Sequence, residues 1–397
     1  MQLTNRQSFL THQAQTTHFP LGLEFARAEG VYLYDAAGKS YLDLISGISV
    51  SSLGHGNQKV IQAIKNQVDQ HMHLMVYGEF IQAPQAKLAK KIASLLPDNL
   101  NCTYLVNSGA EAVDGALKLA KRITGRSKIV ACKQAYHGST HAPLSLNSEA
   151  YFTDAFRPLL PEIYFAKHND IESLKLIDEH TACFIVEVIA SEKGYVPLST
   201  AFLAEARKRC NEHCALLIFD EIQTGIGRTG KMFAFEHHDI IPDVLLLGKA
   251  LGAGMPIGAF ISSQKMMHTL ADAPILGHIT TFGGHPVVAA AALAGIEELQ
   301  ENQLIHSVEA KEVLFRKLLV HPLIQSVSGK GLMLAIEFES FEFNKILIDR
   351  CITDGLITDW FLFAPNKLRL TPPLIISEME IEKACEILIN NLNQISV

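Results

Sequence analysis

VLLLGKALGAGMPIGAFISS, Val244–Ser263, carries one charged residue, Lys249, among aliphatic side chains, four glycines and a proline. Its 20 residues match the length of a membrane span, but the glycines, the proline and the central lysine oppose burial in lipid. The stretch reads instead as two buried strands, 243–248 and 257–263, joined through Lys249 and the turn GAGMP. A buried ammonium is costly, so Lys249 is expected to be neutral, paired or covalently used.

Apolar strands and amphipathic helices alternate outward from this stretch. Strands are expected at 103–107, 128–132, 182–189 and 215–219, and helices at 58–70, 110–122 and 200–213. In the first helix Val60, Ile61, Ile64 and Val68 are expected on one face. This order implies an α/β fold with a mainly parallel central sheet. Beyond residue 286 the texture changes. An Ala-rich helix leads into the alternating segments 331–338 and 367–374, and a closing helix opens with a Ser377–Glu380 capping box. Near the N-terminus, a hairpin is expected around DAAGK, 35–39. The expected division is a large domain over 51–285 and a smaller α+β domain from 1–50 and 286–397.

The 397 residues leave ample area for a core, and 48% are hydrophobic. The net charge of −7 offers no basic footprint for nucleic acid or an anionic membrane. Seven scattered cysteines without a CxxC pair suit a reducing, cytoplasmic setting. The first fifteen residues have no apolar core, so no secretory leader is expected in them. The histidines of HMH (71–73) and HH (237–238) lack accompanying ligands, and no metal site is expected. Cys210 and Cys214 are read as packing residues of one helix.

Three constellations carry chemistry. In NSGAEAVDGALKLAKR a strand ends at Asn107, and Ser108–Gly109–Ala110 turn into a helix. Small residues at a helix N-terminus suit a phosphate, although Ser108 and Glu111 also fit a plain capping box. In ALLIFDEIQTGIGRTG, Asp220 ends an apolar strand at the edge where open α/β sheets bind ligands. A helix cap or surface turn is the alternative for it. Lys249 follows a second such strand and is expected to reach the same crevice; a snorkelling lysine is the alternative. Together the three match the needs of pyridoxal phosphate: an anion cradle, a carboxylate for the pyridinium and an imine-forming lysine.

GKALGAGMPIGA, FDEIQTGIGRTG, NSGAEA and TFGGHP, in combination, resemble the class III pyridoxal-phosphate-dependent aminotransferases of the ornithine/acetylornithine and 4-aminobutyrate type. The resemblance runs from YLDLISGISVSSLGHG to LRLTPPL. It implies a fold-type-I homodimer with active sites shared between subunits. It further implies that Lys249 is the imine lysine and Asp220 the pyridinium partner. Gln223 would lie near the phenolic oxygen, Tyr136 would stack on the ring with His137 beside it, and Ser108, Gly109 and Ala110 would hold the phosphate. Thr281 would reach the phosphate of the other subunit. Arg369 would take a substrate carboxylate, Glu192 would pair with it when that carboxylate is absent, and Glu187 is the other acid of that motif. Without the resemblance, Arg369 reads as a strand residue facing solvent.

The reaction implied is ping-pong transfer of an ω-amino group, from ornithine, N-acetylornithine or a similar donor, to 2-oxoglutarate. The alternatives are another class III reaction, such as a 4-aminobutyrate transaminase or an aminomutase, and a non-catalytic binding protein on the same fold. Departures bear on the donor. EVIASEK (187–193) stands where the family often has Glu-Pro-x-Gln-Gly-Glu-Gly, so Val188, Ala190 and Lys193 differ. His285 stands where asparagine is usual, and Ser139 where acetylornithine enzymes commonly carry a carboxylate-binding arginine.

Overall fold

The computed structural model describes residues 3–395. Its centre is a seven-stranded sheet in the order Cys102–Val106, Gly258–Ser262, Val244–Leu247, Leu216–Asp220, Thr181–Glu187, Lys128–Cys132, Ile163–Ala166. Gly258–Ser262 runs antiparallel to both neighbours, and the pairings among the other five adjacent strands are parallel. The apolar run Val244–Ser263 therefore forms two adjacent strands, with the chain reversing after Lys249. Among the described residues no helix is long and apolar enough to cross a membrane.

The central strands are apolar throughout because both faces are covered. Every residue of Leu216–Asp220 and Val244–Leu247 is buried. Each such aliphatic side chain contributes about 1.5–3 kcal/mol over exposure. Helix Gly109–Thr124 lies across Gly258–Ser262 and Val244–Leu247. Gly115 makes that approach possible, since a Cβ there would sit 2.4 Å from Phe260.

The N-terminal hairpin pairs Tyr32–Asp35 with Ser40–Asp43 in a four-stranded sheet that also takes in Leu356–Ile357. Asp35 closes its turn by accepting the Ala37 and Lys39 N–H groups, each at 2.9 Å. Ser326–Gly329, Leu334–Glu337 and Lys367–Leu370 form an antiparallel three-stranded sheet. The Ser377–Glu380 capping box opens the last helix.

Three details differ from the periodicity reading. The run 182–189 is not one strand: the long strand stops at Glu187, and Ile189–Ala190 pairs instead with Val196–Pro197. In helix Gln58–Gln70 the buried face runs through Val60 and Gln67, leaving Val68 42% exposed. At 100° per residue Val68 lies on the flank of that face. Cys210 is buried, but Cys214 is exposed in left-handed backbone at the helix end, φ 52°, and packs in no core.

Candidate active site

The cleft forms where the sheet's strands deliver their carboxyl ends. Asp220 is the last residue of its strand and is paired in register with Glu187 on one side and Leu246 on the other. Lys249 follows two residues after the strand ending at Leu247. Tyr136 and His137 come off the strand ending at Cys132. Gly109 and Ala110 open the helix that follows Cys102–Val106. All of these line one cavity of about 210 Å³, together with Gly138, Ser139, Ser191, Ile222 and Gln223.

Asp220 is held on both oxygens. Oδ1 accepts the Ile222 N–H at 3.0 Å, and Oδ2 lies 2.6 Å from His137 Nδ1. Burial depresses the His137 pKa, but the hydrogen bond to Asp220 and the nearby carboxylate charges outweigh it, leaving His137 above the ordinary histidine range. Glu187, next in the sheet, accepts the Tyr136 N–H at 3.2 Å and the Ser191 N–H at 3.1 Å. Burial pushes its carboxyl up to about 7 despite His137. Glu221 turns the other way. It accepts the Ala234 and Phe235 N–H groups at 2.6 and 2.7 Å and so fixes the loop behind the cleft.

Among the described residues no hydrogen bond or ion pair engages the Lys249 amine. Burial holds it below the usual lysine range, against the attraction of Glu192 and Asp220. Its backbone is left-handed, φ 43°, in a short 3₁₀ turn over Lys249–Gly252.

Ser108 caps its helix by accepting the Glu111 N–H at 3.2 Å. The N–H groups of Gly109 and Ala110, in the first turn, have no intrahelical acceptor and lie at the positive end of the helix dipole. A Cβ on Gly109 would come 2.8 Å from Ile222. The glycine thus leaves backbone, rather than side chain, as the cleft wall.

Behind Ser191 lies a second polar group. Arg369, 3% exposed, meets Glu192 in a two-pronged pair with Nη–O distances of 3.0 and 3.1 Å. Its guanidinium sits 4.4 Å over the Phe361 ring. The pull of Arg369 overcomes burial and holds the Glu192 carboxyl below its ordinary range. Tyr195 links this group to the cleft, with its hydroxyl 3.4 Å from Arg369 and 3.5 Å from the Gln223 amide. Arg369 and Glu192 do not line the cleft itself, and Thr281 is exposed on the segment before His285.

The profile of the family Aminotransferase class-III matches residues 12–392. The chain is a class III aminotransferase. It is 36% identical to the acetylornithine aminotransferase of Methanopyrus kandleri, over 94% of this chain and 94% of that protein. It is 39% identical to the [LysW]-aminoadipate semialdehyde/glutamate semialdehyde transaminase of Sulfurisphaera tokodaii, over 91% of this chain and 93% of that one. An ornithine aminotransferase from Toxoplasma gondii, a structure with PLP at partial occupancy, superposes with a TM-score of 0.91. The two are 27% identical, covering 98% of this chain and 93% of that one.

The enzyme's cofactor is pyridoxal 5'-phosphate, and the cleft fits it. Two unengaged amides at a helix N-terminus suit a phosphate, and an anchored carboxylate suits a protonated ring nitrogen. An amine kept below its usual pKa suits an aldehyde. Two buried polar atoms at the cleft, His137 Nε2 and Gln223 Oε1, have no partner among the described residues.

Sequence reasoning missed Tyr195, Ser191, Ile222 and Asp359 as members of this neighbourhood. Ser191 was detectable as the residue preceding Glu192. Ile222 sits inside FDEIQTGIGRTG beside Gln223, and Tyr195 three residues after Glu192, but neither side chain's direction is readable from sequence; Asp359 lies ten residues from Arg369.

Proposed function

We propose that this aminotransferase moves the ω-amino group of ornithine, N-acetylornithine or a similar donor to 2-oxoglutarate in two half-reactions. The observation that carries this reading is the buried Glu192–Arg369 pair at 3.0 and 3.1 Å. A guanidinium fork is the geometric match of a substrate carboxylate, and its present partner is a side chain able to withdraw. With Glu192 in place, the pocket presents no free cation to a donor's ω end; with Glu192 withdrawn, it binds a dicarboxylate acceptor. The named relatives, acetylornithine and semialdehyde transaminases, support the same donor class.

Pyridoxal phosphate, when bound, supplies an aldehyde that takes the amine and a ring that accepts an electron pair. The chain's own residues do the rest. Lys249 Nζ would take the proton from the donor carbon bearing nitrogen and, in the second half-reaction, would give one to the corresponding carbon of the acceptor. Such proton transfer contributes about 10²–10⁴ in rate. Asp220, held by His137 at 2.6 Å, would keep the ring nitrogen protonated. Ser108, Gly109 and Ala110 would hold the phosphate, Tyr136 the ring face and Gln223 the phenolic oxygen. Glu187 faces the substrate, and Arg369 takes the acceptor's carboxylate.

We propose a homodimer in which Thr281 reaches the partner's phosphate. Exposed apolar residues lie on the segments around it, among them Ile275 at 78% exposure. His73 and Phe282, 4.9 Å apart, join two of them. The domain division 51–285 against 1–50 with 286–397, and a cytoplasmic location, belong to the same reading.

The test is a panel of donors and acceptors, with the two half-reactions followed separately. Arg369→Lys keeps a cation beside Glu192 but loses the fork. It is expected to raise the KM for 2-oxoglutarate at least about 30-fold, equivalent to about 2 kcal/mol. The ω-amine half-reaction should change far less. Activity confined to α-amino donors, or an unchanged KM for 2-oxoglutarate, would overturn the reading.

A further inference from the structure

A guanidinium has five N–H donors, and on Arg369 all five are engaged. Nη1 donates to Glu192 Oε1 at 3.0 Å and to the Tyr195 hydroxyl at 3.4 Å. Nη2 donates to Glu192 Oε2 and to the Trp360 carbonyl, both at 3.1 Å. Nε donates to Asp359 Oδ1 at 2.9 Å. One cation is therefore shared by two carboxylates, placed on opposite edges of its plane. Glu192 takes the Nη fork, the edge that a substrate carboxylate also needs. Asp359 takes the Nε edge, which such a ligand leaves alone.

Main-chain pairing makes Asp359 a fixed partner. The Arg369 N–H donates to the Asp359 carbonyl at 2.9 Å, and the Thr358 hydroxyl donates to the Arg369 carbonyl at 2.6 Å. The next residues, Trp360 and Leu368, form an antiparallel bridge. Asp359 thus rides on backbone tied to the residue it holds. Glu192 is tied to a different segment, its own carbonyl accepting the Phe363 N–H at 3.1 Å. It comes from the turn after Ile189–Ala190, and beyond Arg369 its carboxylate is met only by the Leu362 N–H, at 3.0 Å, among the described residues.

We propose that Asp359 is a positioning residue that grips the Arg369 guanidinium by its Nε edge, so that Glu192 alone is exchanged for the carboxylate of a dicarboxylate oxo acid. The inference rests on the reading that Arg369 takes that carboxylate. While Glu192 is away, Asp359, Tyr195 and the Trp360 carbonyl keep the fork aimed, so little side-chain ordering remains for the ligand to impose. The Asp359 side chain, 23% exposed, faces Arg369 at the edge of the buried group. Burial pushes its carboxyl up to about 6 against the pull of Arg369, so it is charged above neutral pH.

The test uses the holoenzyme, 2-oxoglutarate as the probe, and separate measurement of each half-reaction. Asp359→Ala is expected to raise the KM for 2-oxoglutarate about tenfold, the worth of one hydrogen bond to a charged group, with the donor half-reaction within about twofold of wild type. Asp359→Asn keeps an oxygen that accepts from Nε and is expected to restore the wild-type KM or lower it. If Asp359→Ala does not fold, Asp359→Ser carries the same expectation. An unchanged KM in the alanine or serine variant, equal losses in both half-reactions, or an asparagine variant as impaired as alanine overturns the proposal. Arg369→Lys separates the two levels. If it too leaves the KM unchanged, the carboxylate reading itself has failed. If it raises the KM while Asp359→Ala does not, only the role of Asp359 is lost.

Discussion

Lys249→Ala is expected to lower transamination by about 10³-fold or more, the combined loss of a proton carrier and an activated amine. The amine stands unpaired among the described residues, in a cleft whose burial holds it below the usual lysine range. The alanine variant should still retain pyridoxal phosphate on the helix N-terminus and Asp220, detectable by its visible absorbance after gel filtration. Borohydride treatment should link cofactor to wild-type chain at residue 249, located by mass spectrometry, and leave the variant unlinked. Added methylamine should restore part of the rate, since a small free base can enter the vacated volume. A variant with near-wild-type turnover would remove Lys249 from the chemistry.

Asp220→Asn is expected to cost about 10²–10³ in kcat/KM, the magnitude found when a preorganised electrostatic partner is removed. The amide preserves shape and can still accept from the Ile222 N–H, so melting temperature should change much less than rate. The charge is lost on two sides. In the proposed reading the ring nitrogen would lose the anion that keeps it protonated, and His137 loses the partner 2.6 Å away. His137 would then keep only Glu187 to offset burial, which lowers its pKa, so its titration should move down, measurable by the imidazole proton shifts in NMR. If the rate is unchanged while His137 moves as expected, Asp220 serves the fold and not the cofactor.

The fold class was legible from strand texture because buried parallel strands are apolar on both faces, as in Leu216–Asp220 and Val244–Leu247. Lys249 and Asp220 were legible for the same reason: each is a charge at the end of a run that admits none. The edge strand Ile163–Ala166 was not: at the sheet's edge it is only partly buried, and no long apolar run marks it. Val68 misled because a flank residue and a core residue differ by only tens of degrees around a helix. Asp359 was beyond reach. Ten residues separate it from Arg369, and only the antiparallel bridge at Trp360–Leu368 turns that distance into a 2.9 Å contact. Tyr195 joins Gln223 to Arg369 through a hydroxyl that sequence spacing cannot aim.

Lys249 sits at φ 43°, a conformation glycine adopts freely and other residues hold at about 1–3 kcal/mol. A gene copy released from selection on catalysis would therefore improve its fold by mutating this codon toward glycine, with no rearrangement elsewhere. Drift for stability and purifying selection for chemistry pull in opposite directions at this one site. Among descendants of this chain, a glycine at position 249 should mark a lineage that has become passive.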